Sequence, residues 1–145
     1  MKVTRQNSII FLLIGTALLG FLWSRAYFFK QDTINITDQE PAYMLHAEKI
    51  ISSIDNESLH FLEAEAIVEI EGIIKEVNYT NDRVTIFLRA DKEEAPFVIC
   101  DMQQGQKERV EKLHPGDTIR LKGMFKGYLK DAIFLNCVIS EKNYE

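Results

Sequence analysis

The chain opens with one long apolar stretch. Residues 9–23 read IIFLLIGTALLGFLW without a charge, and the apolar run extends to Phe29. At about 1.5 Å per residue, a helix over 9–29 is about 30 Å long, which matches the hydrocarbon core of a bilayer. Lys2 and Arg5 precede it with no acid nearby. The positive-inside bias therefore predicts a single-pass membrane anchor with a cytoplasmic N-terminus and an extracytoplasmic C-terminal domain.

Two other interpretations of this stretch stay open. A secretory signal peptide also has a short apolar core, and Ser24 and Ala26 place small residues three and one before a cut after Ala26. A buried helix of a globular core is the other. Residues 1–29 are thus predicted to be a membrane anchor or a signal peptide, and either one places the rest of the chain outside the cytoplasm.

A helical pattern follows a polar spacer that is predicted over 30–40. Pro41 suits the first turn of a helix, and apolar positions then recur at helical spacing up to Ile54. The pattern predicts an amphipathic helix over 42–54.

After Glu65 the apolar positions alternate with polar ones, which is typical of β-strands. In a first strand over 68–74 the alternation slips at Gly72, which favours a β-bulge or a bend at that glycine. An Asn- and Asp-rich turn over 78–82 leads to a second strand. In that strand Val84, Ile86 and Leu88 are predicted to point inward, and Thr85, Phe87 and Arg89 outward.

The remaining pattern predicts, in order, an acidic loop over 91–94, a third strand over 97–102, a short helix over 106–113, and strands over 118–125 and 132–140. Five strands with a helix between the third and fourth is the order of an OB-fold barrel. The predicted fold is therefore mainly β, a five-stranded OB barrel that with its preceding amphipathic helix occupies 41–145. A five-stranded sandwich is the alternative.

Two motifs carry a resemblance to a known family. Residues 113–123 read LHPGDTIRLKG, and residues 131–139 read DAIFLNCVI. They resemble the tRNA-anticodon-like group of bacterial OB-fold proteins, in which a GD-x-V-x-x-x-G segment precedes a turn and an L-x-x-C strand. The VEIEG run at 68–72 resembles the first strand of that group. The resemblance covers about residues 42–140 and implies an OB fold similar to that of nucleic-acid binders, although a likeness of fold establishes no activity.

The charge of the chain argues against a nucleic-acid ligand. Of its 17 basic residues, three lie in the first 25 positions, where there is no acid. The rest of the chain, after position 25, contains the other 14 basic residues and all 22 acidic residues, so its net charge is −8. A domain of this sign repels phosphate backbones at long range.

The residue types do not indicate catalysis. The three histidines, His46, His60 and His114, lack metal-ligand spacing, and there is no Cys-x-x-Cys pair. Several glutamates between 63 and 76 fall on the solvent face of a strand rather than forming an acid–base pair. The sequence therefore predicts no catalytic residue, no metal and no cofactor, and hence a protein that is not an enzyme.

The strongest binding signal is a set of aromatic and basic residues. OB barrels hold ligands on the face of strands two and three, between the loops that follow strands one and four. The residues predicted there are Tyr79, Arg83, Phe87, Arg89, Lys126, Tyr128 and Lys130. Aromatic rings next to cations can stack on bases or sugars or anchor a protein. Alternatively, Phe87 packs under the helix over 42–54 and the basic residues only solvate the surface.

Cys100 and Cys137 are the only cysteines. Both fall in the part predicted to be exported, where oxidation is permitted, and the third and fifth strands of an OB barrel are neighbours. A disulfide is predicted, which would stabilise the domain by roughly 3–4 kcal/mol on the chain-entropy model. Two buried free thiols are the alternative.

The sequence thus predicts a non-enzymatic binding or adaptor module, tethered to a membrane through residues 9–29, with a protein or envelope ligand. A nucleic-acid-binding OB domain is the alternative function. The oligomeric state is not indicated.

Overall fold

A computed structural model describes residues 5–28, 34–91, 94 and 96–140, which fall into two compact units. The first unit contains helix α1, Arg5–Phe28, and the second begins at Ile34 and contains the barrel. Residues 1–4 and 29 of the predicted anchor, residues 30–33 of the predicted spacer, part of the acidic loop and the last five residues of the chain lie outside the described parts.

Helix α1 contains a segment of 19 residues, Asn7–Arg25, that is long and apolar enough to cross a membrane. At 1.5 Å per residue this segment is about 28 Å long, close to the thickness of a hydrocarbon core. A signal sequence at the start of a chain has the same length and composition. The helix therefore indicates a membrane anchor or a signal, as the sequence predicts.

The second unit is a closed barrel with one added strand. Its strands are β1 Tyr43–His46, β2 Ile67–Thr80, β3 Arg83–Arg89, β4 Val98–Met102, β5 Thr118–Tyr128 and β6 Ala132–Ile139. The strands pair in the order β1-β2-β3-β4-β6-β5, and β2 also pairs with β5, so β2 to β6 close into a ring. Between β4 and β5 lies the short helix α3, Lys107–Val110. This order confirms the OB fold and excludes the open sandwich.

The barrel interior follows from the alternation of side chains along each strand. Val84, Ile86 and Leu88 of β3 are buried, as predicted. Helix α2, Ala47–Asp55, adds its apolar face to the same core, with Ile50 fully buried. After α2 comes a single 3₁₀ turn, Leu59–Phe61, whose first residue is also fully buried.

The predicted start of the helix over 42–54 is wrong, because residues 43–46 form strand β1. The backbone N–H of Ala42 donates to the carbonyl of Ile67 at 2.8 Å, and β1 then runs parallel to β2. Tyr43 and Leu45 pack on the core, whereas Met44 is 68% exposed. A short apolar run is compatible with both the helical and the strand period, and here the pairing with β2 stabilises the strand.

The predicted bulge is also displaced. The register between β2 and β3 shifts between Ile74 and Glu76, three residues after Gly72. Gly72 instead allows a close approach, since a Cβ there would lie 2.7 Å from the Cβ of Ala47. The predicted turn is narrower as well, because Thr80 already pairs with Arg83. The remaining two-residue loop, Asn81 and Asp82, has positive φ angles of 46° and 63°, as tight hairpin turns require.

The second half of the predicted spacer packs on the barrel. Ile36 is fully buried. The ammonium group of Lys122 on β5 donates to the carbonyls of Thr37 at 3.0 Å and Gln39 at 2.8 Å. The chain is thus fixed to the barrel from about Ile36 onward.

Candidate ligand-binding face

The outward side of β3 carries three of the predicted binding residues. Arg83, Phe87 and Arg89 alternate with the buried residues of that strand and therefore share its outer face. The prediction that these three side chains lie on one surface follows directly from the pleat.

An apolar row crosses three strands on this surface. In the strand register Phe87 of β3 lies opposite Ile99 of β4, and Ile99 lies opposite Ile133 of β6. Residues directly opposite each other on one face have their Cβ atoms about 5 Å apart, so the three side chains are neighbours. Ile133 is 38% exposed, and the other two are partly exposed. We call Phe87, Ile99 and Ile133 the outer row.

The outer row is separate from the buried core. Within the described residues, the core cluster and the side chains packed against it include neither Phe87, Ile99 nor Ile133. Helix α2 covers the core and not this face, since its buried residues belong to the core cluster. The alternative that Phe87 packs under the helix predicted over 42–54 is therefore wrong.

On one side of the outer row, toward the C-terminal end of β3, lie an aromatic ring and two cations. The ammonium nitrogen of Lys75 lies 4.2 Å from the ring centroid of Phe97, within the range of a cation–π contact. The guanidinium of Arg89 donates to the carbonyls of Ala90 at 3.1 Å and Asp91 at 3.3 Å. Asp131 accepts a hydrogen bond from the Phe97 N–H at 2.8 Å and brings an acid to the same end.

On the opposite side of the outer row, toward the N-terminal end of β3, Arg83 is ion-paired with Asp101 of β4. Thr85 lies opposite Asp101 in the register, so the pair is held across β3 and β4. The charge of this arginine is therefore already compensated within the face.

The other predicted site residues lie elsewhere. Tyr79 is opposite the buried Val84 in the register and so points to the inner side of the sheet, at the barrel end, with 48% exposure. Tyr128 packs against the core. Lys126 pairs with Glu65 at 3.2 Å. Lys130 is exposed in the β5–β6 hairpin, close to the start of β6, the strand that contributes Ile133 to the outer row.

Sequence reasoning missed Ile99 and Ile133, although the signal was present. Val98, Cys100 and Met102 alternate as buried residues of β4, which leaves Ile99 outward. The same alternation at the start of β6 leaves Ile133 outward between two buried neighbours.

A charged cluster occupies a different face, on β1, β2 and β5. Arg120 donates to one carboxylate oxygen of Glu71 through Nη2 at 2.6 Å and through Nε at 3.2 Å. This hydrogen bond, and then the charge of Glu71, raises the pKa of Arg120 above its ordinary value. His46 Nδ1 lies 3.9 Å from the other oxygen of Glu71. Among the described residues, no group of three or more histidines, cysteines or acids is placed to hold a metal ion.

The two cysteines are free, buried thiols in this structure. Burial, and next a hydrogen bond with the Cys100 thiol, raises the pKa of Cys137 well above its ordinary value. The predicted disulfide is not formed here and stays a prediction.

The closed barrel, with α3 between its third and fourth strands, defines the protein as an OB-fold domain. The chain belongs to the tRNA_anti-like family, whose model matches residues 1–139. This confirms the resemblance carried by the LHPGDTIRLKG and DAIFLNCVI motifs. No curated protein matches the chain.

Several solved structures match part of this chain at low identity. One, described as a "putative nucleic acid-binding lipoprotein" from Klebsiella pneumoniae, has 12% identity and a TM-score of 0.45, over 54% of this chain and 72% of that one. Asparaginyl-tRNA synthetase from Pyrococcus horikoshii has 10% identity and a TM-score of 0.41, over 52% of this chain and 20% of the synthetase. A subunit of a replication protein A heterotrimer bound to ssDNA has 8% identity and a TM-score of 0.39, over 57% and 59% of the two chains.

Proposed function

We propose that this protein is a non-enzymatic binding module, held at a membrane by α1, whose barrel faces away from the cytoplasm and binds a protein ligand on the outer row. The observation that carries the proposal is the outer row itself: three apolar side chains side by side on a solvent-facing surface. Partly exposed apolar side chains that adjoin one another gain free energy when a partner covers them.

The charges around the outer row favour a protein over a nucleic acid. Arg83 is compensated by Asp101, and Asp131 accompanies the cations at the other end. Nucleic-acid binding requires cations that remain available to neutralise phosphates. The net charge of −8 after the first 25 residues acts in the same direction.

The placement outside the cytoplasm rests on α1 and the residues before it. The segment Asn7–Arg25 of this helix is long and apolar enough to span a bilayer, and Lys2 and Arg5 precede that segment without an acid. A reporter that is active only in the cytoplasm, fused after Glu145, should be silent. Strong reporter activity would overturn the proposed location. If α1 is an uncleaved anchor, the protein should also stay with membranes after an alkaline wash.

The ligand site can be tested by photo-crosslinking in cells that produce the full chain. A photoreactive amino acid is placed at Ile99 and, as a matched control, at Met44, an exposed apolar residue of β1. We expect an adduct at Ile99 whose added mass nuclease leaves intact, and less adduct at Met44; an adduct that nuclease shortens would indicate a nucleic-acid ligand instead. Equal adduct yield at both positions would contradict a specific site.

Nucleic-acid binding is the second candidate, and one observation favours it. Lys75 contacts the ring of Phe97, and Arg89 lies on the same side of the outer row, so this part of the face combines an aromatic ring with cations, as single-strand binders do. If the ligand is a single-stranded nucleic acid and these two cations each neutralise a phosphate, binding should weaken by about sevenfold when salt rises from about 50 to 200 mM. A protein ligand held by the outer row should lose far less affinity over that range.

A further inference from the structure

Cys100 and Cys137 lie side by side in the barrel interior. Both are fully buried and belong to the core cluster, one on β4 and the other on β6. These strands pair in parallel, with Cys100 opposite Phe134 and Met102 opposite Cys137. The cysteines are therefore diagonal neighbours that point to the same side of the sheet.

The packing around the pair leaves room for sulfur. A Cβ at Gly123 of β5 would lie 2.6 Å from Sγ of Cys137, so the glycine supplies the space that this sulfur occupies. The Cys100 thiol also contributes to the raised pKa of Cys137, in keeping with the pairing of their two strands.

A bridge between them requires only a local change of the backbone. Diagonal neighbours in a sheet have Cα atoms about 7–8 Å apart, whereas a disulfide usually requires 4.4–6.8 Å. The register of β4 and β6 shifts between the two cysteines, where Asn136 has a φ of 54°. The required movement of about 1–2 Å thus falls on a bulge, where the regular pairing is already interrupted.

Chemistry disfavours bridge formation inside the finished barrel. The attacking species in disulfide exchange is a thiolate that must reach another sulfur. In the folded domain both sulfurs are inaccessible, and burial keeps the Cys137 thiol protonated. In the unfolded chain neither restriction applies.

We propose that Cys100 and Cys137 are joined by a disulfide while the chain is still unfolded outside the cytoplasm, and that the closing barrel then encloses the bridge. Two thiols lose two protons and two electrons as the S–S bond forms, and the disulfide of a thiol-oxidising protein accepts them and becomes a dithiol. The bridge ties the third strand of the barrel to the fifth and belongs to the oxidised form of the domain, whereas the free thiols belong to the reduced form.

The test begins with the full chain isolated from membranes, blocked with an alkylating agent, denatured and then labelled for free thiols. We expect no free thiol in the wild-type protein and one in Cys100→Ser, which serves as the labelling control. Two free thiols in the wild type would overturn the bridge. The proposal rests on the extracytoplasmic location, and the reporter fusion separates the two failures: two free thiols with a silent reporter overturn the bridge alone.

The timing is tested by the rate of reduction. Exchange in either direction passes through attack on the same sulfur, so a reductant probes the barrier to oxidation as well. We expect a small dithiol to reduce the bridge more than about tenfold faster in concentrated urea than in the folded protein, because access to the sulfur controls the rate. Equal rates in the two conditions would overturn formation before folding.

Discussion

The outer faces on the two sides of the barrel use their side chains differently. On the β1-β2-β5 side, Arg120 is hydrogen-bonded to Glu71, and Lys122 donates to two carbonyls of the segment that leads into the barrel. On the β3-β4-β6 side, Phe87, Ile99 and Ile133 form a row that the core does not include. The charged side chains of the first side are thus hydrogen-bonded to other residues of this chain. The apolar side chains of the second side remain partly exposed, so another molecule can cover them.

The difference shows why a basic residue on an OB barrel is a weak indicator of its ligand. Lys126, Arg83 and Lys122 all have partners within the chain. Their role is to connect strands and to hold the incoming segment. The apolar residues that face outward are the better guide to what this barrel binds.

The largest expected effect is a difference in unfolding free energy between substitutions of an inward-facing and an outward-facing residue of β3. Ile86→Ala should lower the free energy of unfolding by about 3 kcal/mol, because it leaves a cavity in the core. Phe87→Ala, one residue further, should lower it by less than about 1 kcal/mol, because that ring is partly exposed and lies outside the core. Urea unfolding of both variants gives the comparison, and a loss near 3 kcal/mol for Phe87→Ala would make Phe87 a core residue.

A smaller effect is expected on the charged face. Arg120 and Glu71 are both partly exposed, so solvent screens their pair. A double-mutant cycle with Arg120→Ala and Glu71→Ala should give a small, favourable coupling energy at low salt. This coupling should shrink at high salt. If the coupling were absent at both salt concentrations, the face would not be held by this pair.

The contact between Lys122 and the incoming segment should matter locally. Lys122→Met keeps the aliphatic stem of the side chain but removes the donor to Thr37 and Gln39. We expect faster amide exchange around 37–39 and little change in the barrel, because each exposed hydrogen bond adds only about 0.5–1 kcal/mol. Unchanged exchange in this segment would show that the buried Ile36 alone fixes it.

Lys130→Gln should give the smallest effect of the series. This side chain is exposed in the hairpin, so its loss should change stability by less than about 0.5 kcal/mol. If the ligand is a protein held by the outer row, the adduct yield at Ile99 should also stay the same. A strong, salt-dependent drop in yield would favour the nucleic-acid candidate.

The local sequence pattern was sufficient to predict features that depend on a single element or on the order of the elements. The alternation in β3 predicted the buried and exposed sides of that strand correctly, and the order of elements predicted the OB fold. Residues 43–46 were assigned to the helix because a short apolar run carries both periods, and only the pairing with β2 separates them.

The binding face was harder to predict because it depends on register. Ile99 and Ile133 become neighbours of Phe87 only through the pairing of β3 with β4 and of β4 with β6. The sequence alone predicts Lys126 as a site residue because it does not reveal the ion pair with Glu65, which lies 61 positions away. The period of a single strand gives the side of the sheet on which a residue lies, but not which residues of other strands lie beside it.

The most direct test of the outer row combines the adduct at Ile99 with substitutions at its two neighbours. Phe87→Ser and Ile133→Ser in one chain remove the apolar surface on both sides of Ile99, and Met44→Ser removes a more exposed apolar side chain from strand β1, outside the outer row. We expect the yield of the nuclease-resistant adduct to fall on the order of tenfold in the first variant and to stay unchanged in the second, since the apolar contacts of the outer row are lost only in the first. An unchanged yield in both variants, with the barrel folded by circular dichroism, would contradict the outer row as the ligand-binding surface.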